Sequence, residues 1–359
     1  MKKLDRYILG KFLGTFFFIV TMILAIAIVF DVSEKIDDFI KKEAPLDAII
    51  LQYYSNFVIT YGITFSSLLT FLAVIIFTSK MASDMEIVAI LNSGISYKRF
   101  LYPYFWGALC IASITFVANN WILPSSNKTF LDFEEKYIRN EKSKVYKHIH
   151  RQIKPGHYIY FRSYNDNDLR GYNFTYETFD DYQLSSKFYA DALTWDTLRN
   201  QWMANEYTER IISPNGKETI SKGKKKLTEF DFYPEELYYV KESVKTMNYG
   251  ELNEFIRLEK IRGAENIKFY EIEKHQRSSY PFSTFILTLI AVSIASRKSR
   301  GGIAINIAAA IMLVMVYMLF MKVSVTFSTN GELAPFVACW IPNFLYAILA
   351  IYLYKKAQK

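Results

Sequence analysis

The sequence predicts an α-helical membrane protein with six spans, arranged three and three around a polar insertion of roughly 150 residues. About 20 helical residues cross a hydrocarbon core of about 30 Å. The apolar runs are continuous rather than alternating, so they predict helices and exclude the strands of a membrane barrel. The stretches without any charged residue are 12–30, 48–79, 100–127, 278–296, 301–321 and 333–354.

These stretches divide the chain into three parts. Residues 1–124 hold spans one to three, with a short cytoplasmic helix at about 83–94. Residues 125–276 form the inserted domain, and residues 277–359 hold spans four to six. The first span is not expected to be a cleaved signal peptide, because Asp31 follows Phe30 directly and no small-residue cleavage site precedes it.

Positive charge indicates the orientation. Residues 125–276 carry 25 Lys and Arg and 25 Asp and Glu, so the net charge of +8 lies in the rest of the chain. It collects in four short segments, which the positive-inside rule assigns to the cytoplasm together with both termini. The insertion and loop 31–47 are then external. The cytoplasmic basic residues are Lys2, Lys3, Arg6, Lys11, Lys80, Lys98, Arg99, Arg297, Lys298, Arg300, Lys355, Lys356 and Lys359.

The insertion is predicted to be mostly β-structure. Tyr172, Phe174 and Tyr176 alternate with polar residues, which indicates a half-buried strand. Pro214-Asn215-Gly216 predicts a turn. Several short strands favour a sandwich or an open barrel. From Gly250 the pattern becomes helical, with Glu259 on the polar face. The aromatic residues of this part form either an ordinary core or a groove for acyl chains.

Several chemistries are not indicated. The chain has no phosphate-binding loop, so ATP hydrolysis is not expected in it, and no cofactor is predicted. His148 and His150 would suit a metal on a strand, but no third ligand is evident, so no metal is predicted. No nucleophile and base are recognisable, so the protein is not predicted to be an enzyme. The spans lack acidic residues, which argues against ion-coupled transport.

The cytoplasmic segment Ser83–Gly94 is the first candidate site. Ser83 and Glu86 form an S-x-x-E capping box, and Gly94 would end the helix. The helix either lies on the inner leaflet or binds a motor subunit, and Glu86 is either a cap or a charge offered to that subunit. Its apolar stripe consists of Ile87, Ile90 and Leu91.

Lysines form the second and third candidates. Lys35, Lys41 and Lys42 follow span one on the outer side, where they would either pair with neighbouring acids or bind the phosphate of an anionic lipid. Lys322 lies four-fifths of the way along span five, where an ionisable group is either functional or extends to the interface.

Several motifs follow one another over essentially the whole chain. They are Leu4-Asp5-Arg6-Tyr7-Ile8, Lys35-Ile-Asp-Asp-Phe-Ile-Lys41-Lys42, Asp84-x-Glu86 with Ser93-Gly94, Arg277-x-x-x-Pro281, Gly331-x-x-x-Pro335 and Trp340-Ile341-Pro342. In order and spacing these motifs resemble the LptF/LptG family of lipopolysaccharide-export permeases, and the first 42 residues favour the LptG branch over its sister LptF.

The resemblance implies the permease of an ABC exporter in the bacterial inner membrane, serving outer-membrane assembly. An LptF-like sister permease, two LptB-like ATPase subunits that use the ATP, and an LptC-like periplasmic partner are implied. The insertion would be a periplasmic β-jellyroll that passes lipopolysaccharide on. Lys35, Lys41 and Lys42 would contact the lipid, and Glu86 would face the ATPase.

Two rival functions stay open from sequence alone. A receptor or scaffold would sense a ligand outside and recruit a partner through segment 83–94. A stand-alone lipid flippase would depend on an ion gradient and need no ATP. A complex with a second permease and an ATPase would argue against both.

Overall fold

The structure is a computed structural model that describes residues 3–138, 145–180, 183–213, 215–237, 243–263, 266–297 and 302–358. The chain forms two compact units. The helical unit comprises Met1–Arg139, Lys245–Gly250 and Lys268–Lys359, and the β unit comprises Asn140–Val244 and Glu251–Ile267. Some residues of the sequence-based expectations lie outside the described residues, namely Lys2, Pro214, Lys298, Arg300 and Lys359.

Six helical segments of the described chain are long and apolar enough to cross a membrane, which confirms the six-span prediction. Each contains all or most of one uncharged stretch, except that the second stretch is divided between several helices. The segments are Lys3–Lys41, Ser66–Ser83, Tyr97–Tyr137, Ile267–Ala295, Gly302–Asn330 and Pro335–Ala357.

The first two spans differ in form. Helix α1 (Lys3–Lys41) is one continuous helix of 39 residues, about 58 Å long at 1.5 Å per residue. The second uncharged stretch begins at a bend after Pro45 and is interrupted at Phe65. Its elements are α2 (Leu46–Ala48), a π-helical segment (Ile49–Tyr54), α3 (Ser55–Thr64) and α4 (Ser66–Ser83).

The third span follows two short helices. Its middle is a π-helical segment just before Pro124, a residue that has no N–H to donate to the preceding turn. The elements are α5 (Glu86–Asn92), α6 (Tyr97–Phe100), α7 (Tyr102–Val117), the π-helical segment Ala118–Ile122 and α8 (Leu123–Tyr137).

The β unit contains an antiparallel sheet of six strands, which confirms the inserted β domain. The strands pair in chain order, so they are joined by hairpins rather than by the crossing connections of a jellyroll. Gly216 turns with a φ of +77° between the last two strands, at the predicted turn. The strands are β1 (Val145–Lys154), β2 (His157–Asn165), β3 (Arg170–Asp180), β4 (Gln183–Asp196), β5 (Gln201–Ile212) and β6 (Glu218–Thr228).

The sheet is interrupted along one line that crosses all six strands. On this line each strand has one residue without a pairing partner, although its two neighbours are paired. Three of the six have a positive φ, and the alternation of buried and exposed side chains shifts by one residue there. Consequently Phe174 is buried whereas Tyr172 is exposed. The line consists of His148, Arg162, Asn173, Asp191, Glu206 and Lys224.

One face of the sheet is covered by the chain that follows β6. Phe232 is buried against Phe161, Phe174 and Trp202, and its carbonyl accepts a hydrogen bond of 2.9 Å from the Trp202 indole. These aromatic side chains therefore form a packed core. The following elements are α9 (Pro234–Leu237), a 3₁₀ turn (Ser243–Thr246) and α10 (Tyr249–Ile261).

Glu259 of α10 is buried, contrary to its expected position on a polar face. Its carboxylate lies 3.7 Å from the Arg151 guanidinium and 3.4 Å from that of Arg262. A carboxylate can be buried in this way because the two cations offset the loss of hydration.

The last three spans are α11 (Ile267–Ala295), α12 (Gly302–Asn330) and α13 (Pro335–Ala357). A buried amide connects all three. Asn343 of α13 accepts a hydrogen bond of 2.8 Å from the Tyr317 hydroxyl of α12 and donates one of 3.1 Å to the Ser279 carbonyl of α11. Hydrogen bonds of this kind hold spans together in lipid, where apolar burial alone gives little preference.

Candidate coupling and lipid sites

The coupling segment begins differently from the capping-box prediction. Ser83 is the last residue of α4 rather than the N-cap of α5, and no side-chain cap precedes Glu86. The preceding residues Met81 and Ala82 are buried in the helical core and extend α4 past Lys80. Met85, with a φ of +62°, makes the turn instead. Gly94 has a φ of +85° beyond the end of α5, where the predicted stop is confirmed.

The apolar stripe of α5 packs against the chain's own core. Ile87 is only 1% exposed, and Ile90 and Leu91 are half-buried against the same cluster. Met85 and Val88 are 48% and 46% exposed and form the accessible apolar part of the segment. A partner subunit would contact this other face.

Glu86 is held by the first turns of α1. The Lys11 ammonium donates hydrogen bonds of 2.9 and 3.3 Å to its two carboxylate oxygens, and the Tyr7 hydroxyl donates another of 2.9 Å. Burial would raise the pKa of the Glu86 carboxyl, but the bonds from Lys11 and Tyr7 outweigh it, so its pKa lies below the ordinary value. Glu86 is therefore ionised at neutral pH and still partly exposed.

A second ion pair joins α1 to α6, the short helix that follows the coupling segment. The guanidinium of Arg99 in α6 donates two hydrogen bonds, both of 2.7 Å, to the two oxygens of Asp5. Asp5 is 1% exposed, and the Ser96 hydroxyl caps α6 by accepting from the Arg99 N–H at 3.3 Å. The two-pronged geometry fixes the direction of both side chains as well as their distance.

The two ion pairs join the beginning of α1 to the first residue of α5 and to α6, the helix that follows α5. Sequence reasoning counted Lys11 and Arg99 only as cytoplasmic charges and gave Asp5 no role. The spacing held one indication, because Asp5, Ile8 and Phe12 follow one another at i, i+3 and i+7 and all three are buried. An acid on the apolar face of a helix requires a partner.

Near the C-terminal end of α1, Lys35 lies within a network of its own chain. Its ammonium is 3.1 Å from a carboxylate oxygen of Asp31 and 3.6 Å from one of Glu134, and it donates a hydrogen bond to the Tyr53 hydroxyl. The hydroxyls of Tyr53 and Tyr54 donate to Asp31 at 3.2 Å each. The charge of Lys35 is thus already neutralised. Its partners Asp31 and Glu134 both lie outside the motif that runs from Lys35 to Lys42.

An aromatic cluster supports this network. The Tyr53 ring stacks on Phe130 with ring centres 4.9 Å apart, and Phe39 and Phe133 pack at its edges. The cluster joins α1 to the π-helical segment and to α8, and so fixes the C-terminal end of the 39-residue helix. Aromatic pairs of this kind contribute about 0.5–1.5 kcal/mol each beyond their buried area.

The other two lysines of this group, Lys41 and Lys42, differ in exposure. Lys41 is exposed in the last turn of α1 and has no ion-pair partner among the residues that the structure describes, whereas Lys42 is half-buried. Lys41 lies six residues beyond Lys35, about 9 Å further along the helix axis. Of the three predicted lysines, Lys35 is therefore paired within the chain, and Lys41 is the exposed one.

A cavity of about 640 Å³ lies along α1, α3, α4 and α12. Its walls are mostly apolar, and Asp31 and Glu34 are its two acidic residues. Lys35, the ion-pair partner of Asp31, adjoins this polar end. The long apolar wall matches the acyl chains of a lipid, whereas the two carboxylates would repel an anionic head group, which would therefore have to contact lysines beside the cavity. Its apolar walls include Phe30, Phe57, Tyr61, Phe71 and Met315.

Lys322 has an accessible side chain on α12 and lines a separate cavity. In the described part of the chain, no three His, Cys, Asp or Glu residues come close enough to hold a metal ion.

Comparison with known families agrees with this arrangement. A family model for the lipopolysaccharide export system permease LptF/LptG matches residues 6–356. A search of curated proteins finds no match. Because the family model covers nearly the whole chain, including all six spans and the β unit, the protein belongs to the LptF/LptG family of lipopolysaccharide export permeases.

Proposed function

We propose that this chain is the LptG-type transmembrane subunit of an ABC exporter that extracts lipopolysaccharide from the inner membrane. The family match over residues 6–356 carries the permease assignment. The first 42 residues favour LptG over the sister LptF. The chain itself is non-catalytic and holds no cofactor, and a partner subunit hydrolyses ATP.

Helix α1 would connect the ATPase to the lipid. Its first turns bind Glu86 at the start of α5 and Arg99 in α6, and its far end holds Lys35 and Lys41. A displacement of α5 by two LptB-like ATPase subunits would move α1 with it, since α5 and the helix that follows it are both bonded to α1. Asp84, Met85, Glu86 and Val88 offer the ATPase a partly charged and partly apolar surface.

Lipopolysaccharide would lie with acyl chains in the cavity of about 640 Å³ and phosphates near Lys41 and Lys42. Lys35 would bind only after exchanging its carboxylate partners for a phosphate. The spans α1 and α12 support a binding surface, because only 22% and 17% of their most apolar stretches are buried. An LptF-like sister permease would cover part of this surface.

The distribution of Lys and Arg supports cytoplasmic termini and a periplasmic β unit. From that side the β unit would pass lipid to an LptC-like partner and on towards the outer membrane. A receptor or a stand-alone flippase would need no ATPase, so an ATPase in the complex would distinguish the proposed exporter from both.

Native mass spectrometry of the protein, purified gently from its own membranes, tests this assembly. We expect a complex with a second six-span permease, two ATPase subunits and bound lipopolysaccharide. A lone chain or a homodimer without an ATPase would contradict the proposal and favour a flippase or a receptor.

A further inference from the structure

A second cavity of about 340 Å³ lies between the beginning of α4, the outer part of α11 and α12. Two lysines line it. Lys245 belongs to the 3₁₀ turn Ser243–Thr246, and Lys322 belongs to α12. These lysines are 77 residues apart in the chain and come to one cavity only through the fold.

The polar groups of this cavity are mainly hydrogen-bond donors. The ammonium groups of Lys245 and Lys322 have no carboxylate or hydrogen-bond partner among the described residues. The side-chain amide of Gln276 likewise has no hydrogen-bond partner among them. The acid on the wall, Glu273, is engaged by Arg277, whose Nε lies 3.4 Å from it. The cavity therefore carries excess positive charge.

The remaining wall is apolar and contains Phe65, Leu68, Met318 and Met321. Two like charges beside such a surface repel each other more strongly than they would in water. An anion held between them would remove that repulsion, and an apolar group attached to the anion would cover the wall. A free inorganic ion would remove the repulsion between the lysines but would leave the apolar wall uncovered.

We propose that this cavity binds the phosphate group of a membrane amphiphile, with Lys245 and Lys322 as its two cationic contacts and Gln276 as a hydrogen-bond donor. Lysine binds phosphate as a point charge and needs no fixed geometry. The chain attached to the phosphate lies against Phe65 and Met321. None of the outer lysines of α1 lines this cavity, and Phe65 and Leu68 form the wall that separates it from the larger one.

The site differs from the proposed path of the exported lipid and does not depend on that function. The cavity requires only a ligand with a phosphate and an apolar chain, and the bulk phospholipids of any membrane have both. A lipid bound here would contact α4, α11 and α12 and stabilise their packing at one end of the bundle.

Lipid retention in native mass spectra provides the test. The full complex, stripped of lipid in detergent, is incubated with phosphatidylethanolamine or with a diacylglycerol of the same chains. The variant Lys245→Gln with Lys322→Gln removes both charges. The matched variant Lys245→Arg with Lys322→Arg keeps them, and Lys224→Gln with Lys225→Gln removes two exposed lysines elsewhere.

We expect wild type, the arginine variant and the Lys224 and Lys225 variant to retain the phospholipid. The Lys245 and Lys322 glutamine variant should bind it about tenfold more weakly, because two charge-assisted contacts are lost. Equal retention by this variant, or equal retention of the diacylglycerol, would overturn the proposal. Displacement by millimolar inorganic phosphate would overturn the requirement for an amphiphile. ATPase subunits in the same spectra report separately on the proposed function.

Discussion

Asp5 and Arg99 form a two-pronged ion pair in which both hydrogen bonds measure 2.7 Å. Asp5 is 1% exposed and lies at the beginning of α1, while Arg99 lies beyond the coupling segment. With the Glu86–Lys11 pair, this contact joins the first membrane helix to the start of α5 and to α6, which follows it. From these contacts to Lys35 and Lys41 the chain is one uninterrupted helix.

Replacing Asp5 by Asn should lower the number of lipid molecules moved per ATP hydrolysed, because Arg99 would lose its ionised partner. Contacting residues interact with about 0.5–3 kcal/mol, so the ratio of lipid moved to ATP hydrolysed should fall by about 2- to 150-fold. Lipid transfer and phosphate release, measured in the same proteoliposomes, give the ratio.

The charge-reversed pair Asp5→Arg with Arg99→Asp is the control, because it restores the ion pair with its partners exchanged. It should recover part of the coupling that either single change abolishes. If the double variant were no better than the two singles, the ion pair would not be what joins α1 to the segment.

Glu86 is predicted to serve both its own chain and the ATPase. Glu86→Lys should uncouple ATP hydrolysis from lipid movement while the protein stays folded, because the new charge faces Lys11. Lys11→Gln is the matched comparison, since it removes the same intrachain pair but keeps the Glu86 carboxylate. We expect Lys11→Gln to be milder in a coupling assay. Equal defects would mean that the intrachain pair is the whole role of Glu86.

The Glu86 interaction should not respond to pH near neutrality. A carboxyl whose pKa is lowered in the folded protein stabilises it above the unfolded pKa and loses this contribution as pH falls through the lower, folded value. Coupling measured between about pH 6 and about pH 8 should therefore be insensitive to this group. A change within that interval that disappears in Glu86→Gln would contradict the assignment.

Lys35→Met should destabilise the protein, because it leaves Asp31 and Glu134 close together without their shared cation. The expected cost is about 1–3 kcal/mol, as for a partly buried charged group that loses its partner. Thermal unfolding in detergent measures it. Lys41→Met, six residues away on the same helix, is the control and should unfold like wild type. Equal stability of both variants would argue against the Lys35 network.

Lys41→Ala combined with Lys42→Ala should weaken lipopolysaccharide binding more at low than at high ionic strength. Salt screens contacts between exposed charges, with a screening length of about 10 Å at 0.1 M. Binding titrations at two salt concentrations compare the variant with wild type. A loss of affinity that is the same at both concentrations would indicate packing rather than phosphate binding.

Sequence patterns predicted the spans well and the coupling segment poorly, for a physical reason. Six uncharged stretches define spans because lipid excludes unpaired charge, which is a local property of each stretch. The direction of Ile87 is not local, since an apolar stripe fits the chain's own core as well as a partner's groove. The pairing of Lys35 with Glu134 likewise depends on residues 99 positions apart.

The β unit illustrates the same limit within one strand. Alternation along β3 predicted that Tyr172 and Phe174 would share a buried face. A shift at Asn173, with a φ of +49°, separates them. The shift is aligned across all six strands, so it belongs to the sheet and not to any single strand. Period-two reasoning has no means of detecting it.

The most direct test of the central claim is the energy source of lipid movement. Proteoliposomes that contain the chain with its sister permease and ATPase are loaded with lipopolysaccharide, and its arrival on a periplasmic acceptor is measured. The account predicts arrival that requires ATP, is indifferent to an imposed ion gradient and fails with Glu86→Lys. Arrival driven by an ion gradient without ATP would contradict it.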